Sequence, residues 1–303
     1  MARATVVLTT VILGMTCAAK ADPIVYHVFG RTIYMAELPG TPQGVFTTAY
    51  DSVYERTRPI YFKSYGGRLY WTTFGTGELW TSGLHGEDAH VLLDTVVQEP
   101  RGIAFHGDHV YWSTGTTADI YRANLDGTDI QRVVDMPGGD YYTGIDDLEI
   151  YDGRFYWTPW SGNSVRTCRL DGSDYYEISL AAGGRAFCVE IQNDSIYVGV
   201  YDVGPEYVDC LLRYSMDGST YDLLAQDRHV LSMDVFEDRI YYNCELSDAV
   251  YSCLLTGGEE RMEYEARSWQ LAVVPEPASI AMTAAGAVAF VLAGRKRRGR
   301  HRN

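Results

Sequence analysis

Positive charge is scarce through most of this 303-residue chain. Of its 25 Lys and Arg, two lie in the first 21 residues and six in the last 29. The stretch from Asp22 to Val274 therefore holds 17 cations against 39 acids, a net charge of −22. Phosphate would be repelled along most approaches to such a body, which excludes nucleic acid and leaves basic proteins, divalent cations and neutral glycans as partners. Sustained helical periodicity is missing as well, so an all-β body is expected. There is no Gly-rich phosphate loop, no nucleophile elbow, no EF-hand spacing, and no Ser, His and Asp set at repeat positions that would bring them together. Histidine is sparse, and the close pairs His106 with His109 and His85 with His90 have no Cys or carboxylate at ligand spacing to complete a metal set.

Long apolar runs are confined to the two ends. Arg3 precedes the largely apolar Val6 to Met15, and Ala19-Lys20-Ala21 supplies small residues at the two positions read before cleavage ahead of Asp22. Residues 1–21 thus read as a signal peptide. At the other end Val274-Pro275-Glu276-Pro277 is followed by an uncharged stretch from Ala278 to Gly294 and then by Arg295-Lys296-Arg297-Arg298. Such a stretch, about 278–294, is just long enough to cross a bilayer, and the cations behind it would hold its end in the cytoplasm. This order of parts resembles the PEP-CTERM sorting tail of Gram-negative bacteria, here 275–303. The resemblance implies an exosortase as partner, with Val274, Pro275, Glu276 and Pro277 as the sorting motif. It also implies export, anchoring in the inner membrane before sorting, and a final place at the cell surface or outside the cell.

The body, 22–274, repeats itself. Leu69-Tyr70-Trp71, Val110-Tyr111-Trp112, Phe155-Tyr156-Trp157, Ile196-Tyr197-Val198 and Ile240-Tyr241-Tyr242 recur every 41 to 45 residues. A second phrase follows most of them, as in Leu125-Asp126-Gly127 and Leu170-Asp171-Gly172; in the fourth repeat it comes five residues late, which predicts a longer loop around Gly204 to Val208. Each period holds four short strand patterns separated by turn residues, the signature of a propeller blade. Val25-Tyr26-His27 and Ile33-Tyr34-Met35-Ala36 match the second and third strands of a blade, so the chain begins one strand late. The strand-like run Ser268 to Val274 would supply the missing innermost strand. The expected fold is a six-bladed β-propeller of four-stranded blades whose closing blade joins three N-terminal strands to one C-terminal strand.

The phrase Pro100-Arg101-Gly102-Ile103-Ala104, with Val110-Tyr111-Trp112-Ser113 and Ile120-Tyr121-Arg122-Ala123-Asn124-Leu125-Asp126-Gly127, resembles the YWTD repeat of the low-density lipoprotein receptor family of six-bladed propellers. The Asp that closes the family phrase is Thr73, Thr114, Pro159 and Cys244 here. The resemblance implies the fold, and it implies a structural role for an acid ahead of the first turn of each blade.

Six residues before each Tyr phrase stand Lys63, Ala104, Glu149, Glu190 and Asp234. Glu149, Glu190 and Asp234 are therefore candidate channel acids, either hydrogen-bonded and structural or able to hold Ca²⁺. No other cofactor is implied. Trp160, Tyr201, Asp202 and Tyr207 mark candidate binding loops, aromatic and acidic in the manner of a surface for a basic or sugar-bearing partner. Tyr141 and Tyr142 also read as loop residues. Five cysteines remain in the exported body, and Cys244 with Cys253 is the candidate disulfide, across the hairpin at Leu246 to Asp248. The reading is a non-catalytic binding module for matrix glycan or basic protein. The alternatives are a channel-site enzyme such as a Ca²⁺-dependent lactonase or lyase, and a structural surface protein.

Overall fold

A computed structural model describes residues 23–30, 32–38, 45–47, 59–73, 76–94, 100–115, 117–135, 144–160, 162–204 and 208–275. The segment expected to be a signal peptide, residues 276–303, Tyr141, Tyr142 and Tyr207 lie outside them. Among the described residues no helix is long and apolar enough to cross a membrane.

Six four-stranded antiparallel sheets follow one another as blades. The innermost strands of blades 2 to 6 are Pro59–Tyr65, Pro100–His106, Ile145–Tyr151, Arg185–Gln192 and Val230–Phe236. Each pairs with the strand carrying the Tyr phrase, and two further strands lead outward. In blade 1 the innermost strand is Gln270–Pro275, paired with Pro23–Phe29 and followed outward by Thr32–Glu37 and Val45–Thr47. The ring closes as the sequence pattern predicts, with the closing strand running one residue past Val274.

The Tyr phrase works because side chains alternate across a strand. Tyr70 packs toward blade 3 with Ile103 and Trp112, while its neighbours Leu69 and Trp71 pack toward blade 1 with Tyr26 and Phe62. The pattern recurs in Tyr111 against Phe155 and Trp157, Tyr156 against Val189 and Val198, and Tyr197 against Ile240 and Tyr242. One three-residue phrase thus fastens its blade on both sides. Trp71, Trp112 and Trp157 are fully buried as a result. The closing strand does the same work, with Leu271 and Val273 facing blade 6 and Ala272 and Val274 facing blade 2.

The Asp-Gly phrase has its own logic. The Oδ1 of Asp126 accepts from the backbone amide of Thr128 at 3.0 Å, capping the outer turn. Gly127 then sits at φ +82°, where a Cβ would lie 2.5 Å from the Leu92 carbonyl of the preceding blade. Only glycine suits that conformation and that approach. Thr73 and Thr114, standing where the family phrase has Asp, use their hydroxyls to accept the amides of Glu78 at 3.2 Å and Asp119 at 3.1 Å.

Two expectations are corrected. The extra residues of the fourth repeat do not form a simple loop: they lengthen Ser195–Val203 and Val208–Ser215 to nine and eight residues. Cys244 and Cys253 are not a disulfide. Cys244 lies opposite Ala249 and Cys253 opposite Ile240, four rungs apart, or about 13 Å along the strands against the 4.4–6.8 Å a disulfide bridges. All five body cysteines are buried thiols.

A chain ending at Ser268 lacks the closing strand and exposes the edge of Pro23–Phe29. Losing the burial of Leu271, Val273 and Val274 is expected to cost about 5 kcal/mol or more and to lower the melting temperature by about 10 °C or more, whereas a chain ending at Pro275 melts as the full body does. Calorimetry of the two truncations, together with light scattering for edge-driven aggregation, measures this.

Candidate functional site

Between Asp22 and Val274 the chain has a single lysine, Lys63. It sits in the innermost strand of blade 2 opposite Tyr70, as Glu149 sits opposite Tyr156, Glu190 opposite Tyr197 and Asp234 opposite Tyr241. These positions share one level of the central channel. The ammonium of Lys63 donates to Glu149 Oε1 and to Glu190 Oε1, the latter at 2.9 Å, and so joins blade 2 to blades 4 and 5. Blade 3 lies between them and presents Ala104 at this level, a side chain small enough to leave that path open. The three ionic groups are largely buried, with side-chain exposures of 18%, 16% and 10%.

The other acids of the channel are held by backbone amides. Asp234 Oδ1 accepts from Val235 and its Oδ2 accepts from Val273 of the closing strand, both at 2.7 Å. Asp147, two residues before Glu149 on the same face, accepts from Leu148 and from Val189 of blade 5, both at 3.0 Å. These two carboxylates are clamps between successive blades. Ser232 and Asn243 reinforce the junction of blade 6 with the closing strand, Ser232 Oγ accepting from Leu271 N and the Asn243 amide donating to Ser268 O.

Four carboxylates thus surround one ammonium, and the electrostatics follow. Burial raises the proton affinity of all four, and the Glu190 charge lifts Glu149 furthest, well above the usual carboxylate range. Burial opposes the charge of Lys63, but Glu149, Glu190, Asp147 and Asp234 outweigh it and hold the ammonium well above its ordinary value. Such a lysine is a fixed cation and a poor nucleophile. Glu149 and Glu190 are engaged by it, and Asp147 and Asp234 by amides. Among the described residues no group of three or more His, Cys, Asp or Glu is arranged to hold a metal ion. If Ca²⁺ entered at this level it would compete with the Lys63 ammonium for the same oxygens.

The candidate binding residues lie at the other end of the strands. Trp160 opens the connection after Arg154–Pro159, with the Arg101 guanidinium 4.3 Å from its ring centre and that of Arg185 at 5.8 Å. Tyr201 is not a loop residue. It lies within Ser195–Val203, its hydroxyl donates to Val230 O at 3.2 Å, and its ring packs on His229 and Phe187. Its burial removes it from the set of exposed anchors. Asp202 is exposed beside it. Sequence reasoning overlooked His229, whose Nδ1 lies 3.0 Å from Asp209 and whose Nε2 lies 3.5 Å from Glu245. It also counted Lys63 without pairing it and passed over Asp147, although period-two alternation puts Asp147 on the Glu149 face.

No protein-family model matches this sequence, and no curated protein does. Among solved structures, a chain from the crystal structure of a nidogen/laminin complex is similar over 83% of this chain and 98% of that one, with a TM-score of 0.69 at 14% identity. The likeness is one of fold. It agrees with the six-bladed propeller expected from the repeat phrases, and 1010 solved chains match, so the architecture does not select a ligand.

The surplus of acid sets the pH response. A carboxylate whose folded pKa is raised binds its proton more tightly folded than unfolded, so stability rises as pH falls through the raised values toward the ordinary 4.5 of Glu and 3.8 of Asp. The melting temperature is therefore expected to climb from pH 8 toward about 5. Below that it falls, because the exposed turn acids Asp126, Asp171 and Asp217 are held low by Ser and Thr hydrogen bonds, and that stabilisation is lost as they protonate. Glu149→Gln removes one excess charge while Lys63 keeps Glu190, so it should raise the melting temperature at pH 8 and flatten the climb. Lys63→Met leaves four buried carboxylates without a cation and should cost about 3–5 kcal/mol at pH 8, less near pH 5. Thermal melts of the three proteins across this range decide the matter; a destabilised Glu149→Gln would contradict the charge-surplus account.

Proposed function

We propose that the protein is an exported binding module of the cell surface or extracellular matrix, without catalytic chemistry of its own, whose tail an exosortase processes. The observation that carries the binding reading is the occupation of the channel by Lys63: the carboxylates an enzyme of this shape would use are held by an ammonium or by backbone amides. A Ca²⁺-dependent lactonase or lyase needs carboxylates open to the metal and to substrate. What remains for recognition is the outer surface, and the similar chain of known structure was crystallised in a complex of proteins, nidogen with laminin. Matrix protein of basic character fits the net charge of −22, and neutral matrix glycan is compatible with it. Export and processing rest on the two ends of the sequence, with exosortase the partner of the motif at Val274 to Pro277.

The test is retention of the purified chain on the producing organism's own matrix, separated into its polysaccharide and protein fractions. Retention on one fraction, weakened about tenfold by Trp160→Ala in a protein that melts normally, is the expected result, since a contact aromatic contributes about 1–2 kcal/mol or more. Absence of retention on both fractions would favour a structural surface protein. Turnover of a lactone panel lost in Glu190→Gln would overturn the non-catalytic reading.

A further inference from the structure

The two ends of the propeller leave it at one point. Pro23 pairs with Pro275 in the register that runs to Val28 opposite Gln270, so the chain enters and leaves blade 1 side by side. In every other blade that place is taken by the turn between the first and second strands: Gly66–Gly67, Gly107–Asp108, Asp152–Gly153, Asn193–Asp194 and Glu237–Asp238. A backbone bond confirms the equivalence. Leu125 N donates to Asp108 O and Leu255 N to Asp238 O across those turns, and Leu38 N donates to Pro23 O in the same way. Antiparallel order then puts the outer Asp-Gly turns on this terminal face as well. The opposite face carries the connections between blades and those between second and third strands, with Trp160, Asp202 and Leu246.

We infer that, while the tail holds the chain to a membrane, the terminal face is turned toward the bilayer and the opposite face, with Trp160 and Asp202, is presented away from it. This rests on the membrane reading of the tail proposed above. Between Pro275 and Ala278 the chain reaches at most about 10 Å, so the terminal face is held close to the lipid. Innermost strands of seven or eight residues separate the two faces by about 20–25 Å. The terminal face does not adhere. Asp126, Asp171 and Asp217, each held below the ordinary carboxylate range by turn hydrogen bonds, are exposed there with Asp152 and Asp194. Anionic headgroups within a Debye length of about 10 Å at 0.1 M salt repel such a surface. The membrane therefore acts through the tether, which fixes the orientation and leaves the presented face free for a partner.

The test uses the chain with its tail, reconstituted in vesicles of phosphatidylcholine and phosphatidylglycerol carrying a headgroup quencher. Fluorophores are attached at Asp108→Cys on the terminal face and at Leu246→Cys on the other, in a chain beginning at Asp22; its five cysteines are buried and spared. Quenching several-fold greater at position 108 than at 246 is expected. Equal quenching, or more at 246, would overturn the orientation while leaving the tail reading intact. Failure of the chain to float with the vesicles would overturn the tail reading, and the inference with it. The body ending at Pro275 should remain unbound by the same vesicles, and its binding would contradict the repulsive terminal face.

Discussion

The antiparallel pairing of Gln270–Pro275 with Pro23–Phe29 is the contact on which the ring depends. Five repeats written consecutively would leave two open sheet edges and two unfilled interfaces. One short strand removes both defects. Its alternate residues fill the junctions on either side, Leu271 and Val273 toward blade 6 and Ala272 and Val274 toward blade 2. The polar groups of blade 6 are arranged to receive it, with Asp234, Ser232 and Asn243 each bonded to the incoming segment. Closure is thus built from burial and from specific hydrogen bonds, and the second ingredient fixes the register that the first alone would leave open to slippage.

Closure also makes the channel. Only when the ring is complete do the innermost strands converge, and only then does Lys63 reach Glu149 and Glu190 past Ala104. The body uses arginine at every other cationic position and lysine here. A compact ammonium on a flexible stem reaches two carboxylates from different blades, which a planar guanidinium would do with more bulk. The channel is consequently a charge-filled axle, and its acids divide into two kinds. Asp147 and Asp234 clamp neighbouring blades through amides, while Glu149 and Glu190 face the lysine. In the proposed reading, recognition therefore falls to the rim on the face opposite the chain ends.

What the sequence disclosed follows from which interactions are local. The Tyr phrase and the Asp-Gly turn recur because each blade repeats the same packing on its two sides, so their spacing gave blade number, strand order and the split closing blade. Lys63 was visible at the shared level, but its partners are 86 and 127 residues away and depend on which neighbour is small. No local period encodes that. Tyr201 reads as a loop residue because extra residues follow it, yet the strands simply extend and the ring turns inward to His229. The proposed Cys244 to Cys253 bridge failed on register: a hairpin pairs residues equidistant from its turn, and Cys253 lies further from the turn than Cys244 does.

The central claim is that Lys63 is the resident cation of the channel. Titration calorimetry of the body with Ca²⁺, on the native protein and on a Lys63→Ala variant, tests it most directly. The account predicts no specific heat from the native protein and a Ca²⁺ site that appears once the ammonium is removed. A tight stoichiometric site in the native protein, lost when Glu149, Glu190 and Asp234 are changed to their amides, would contradict it.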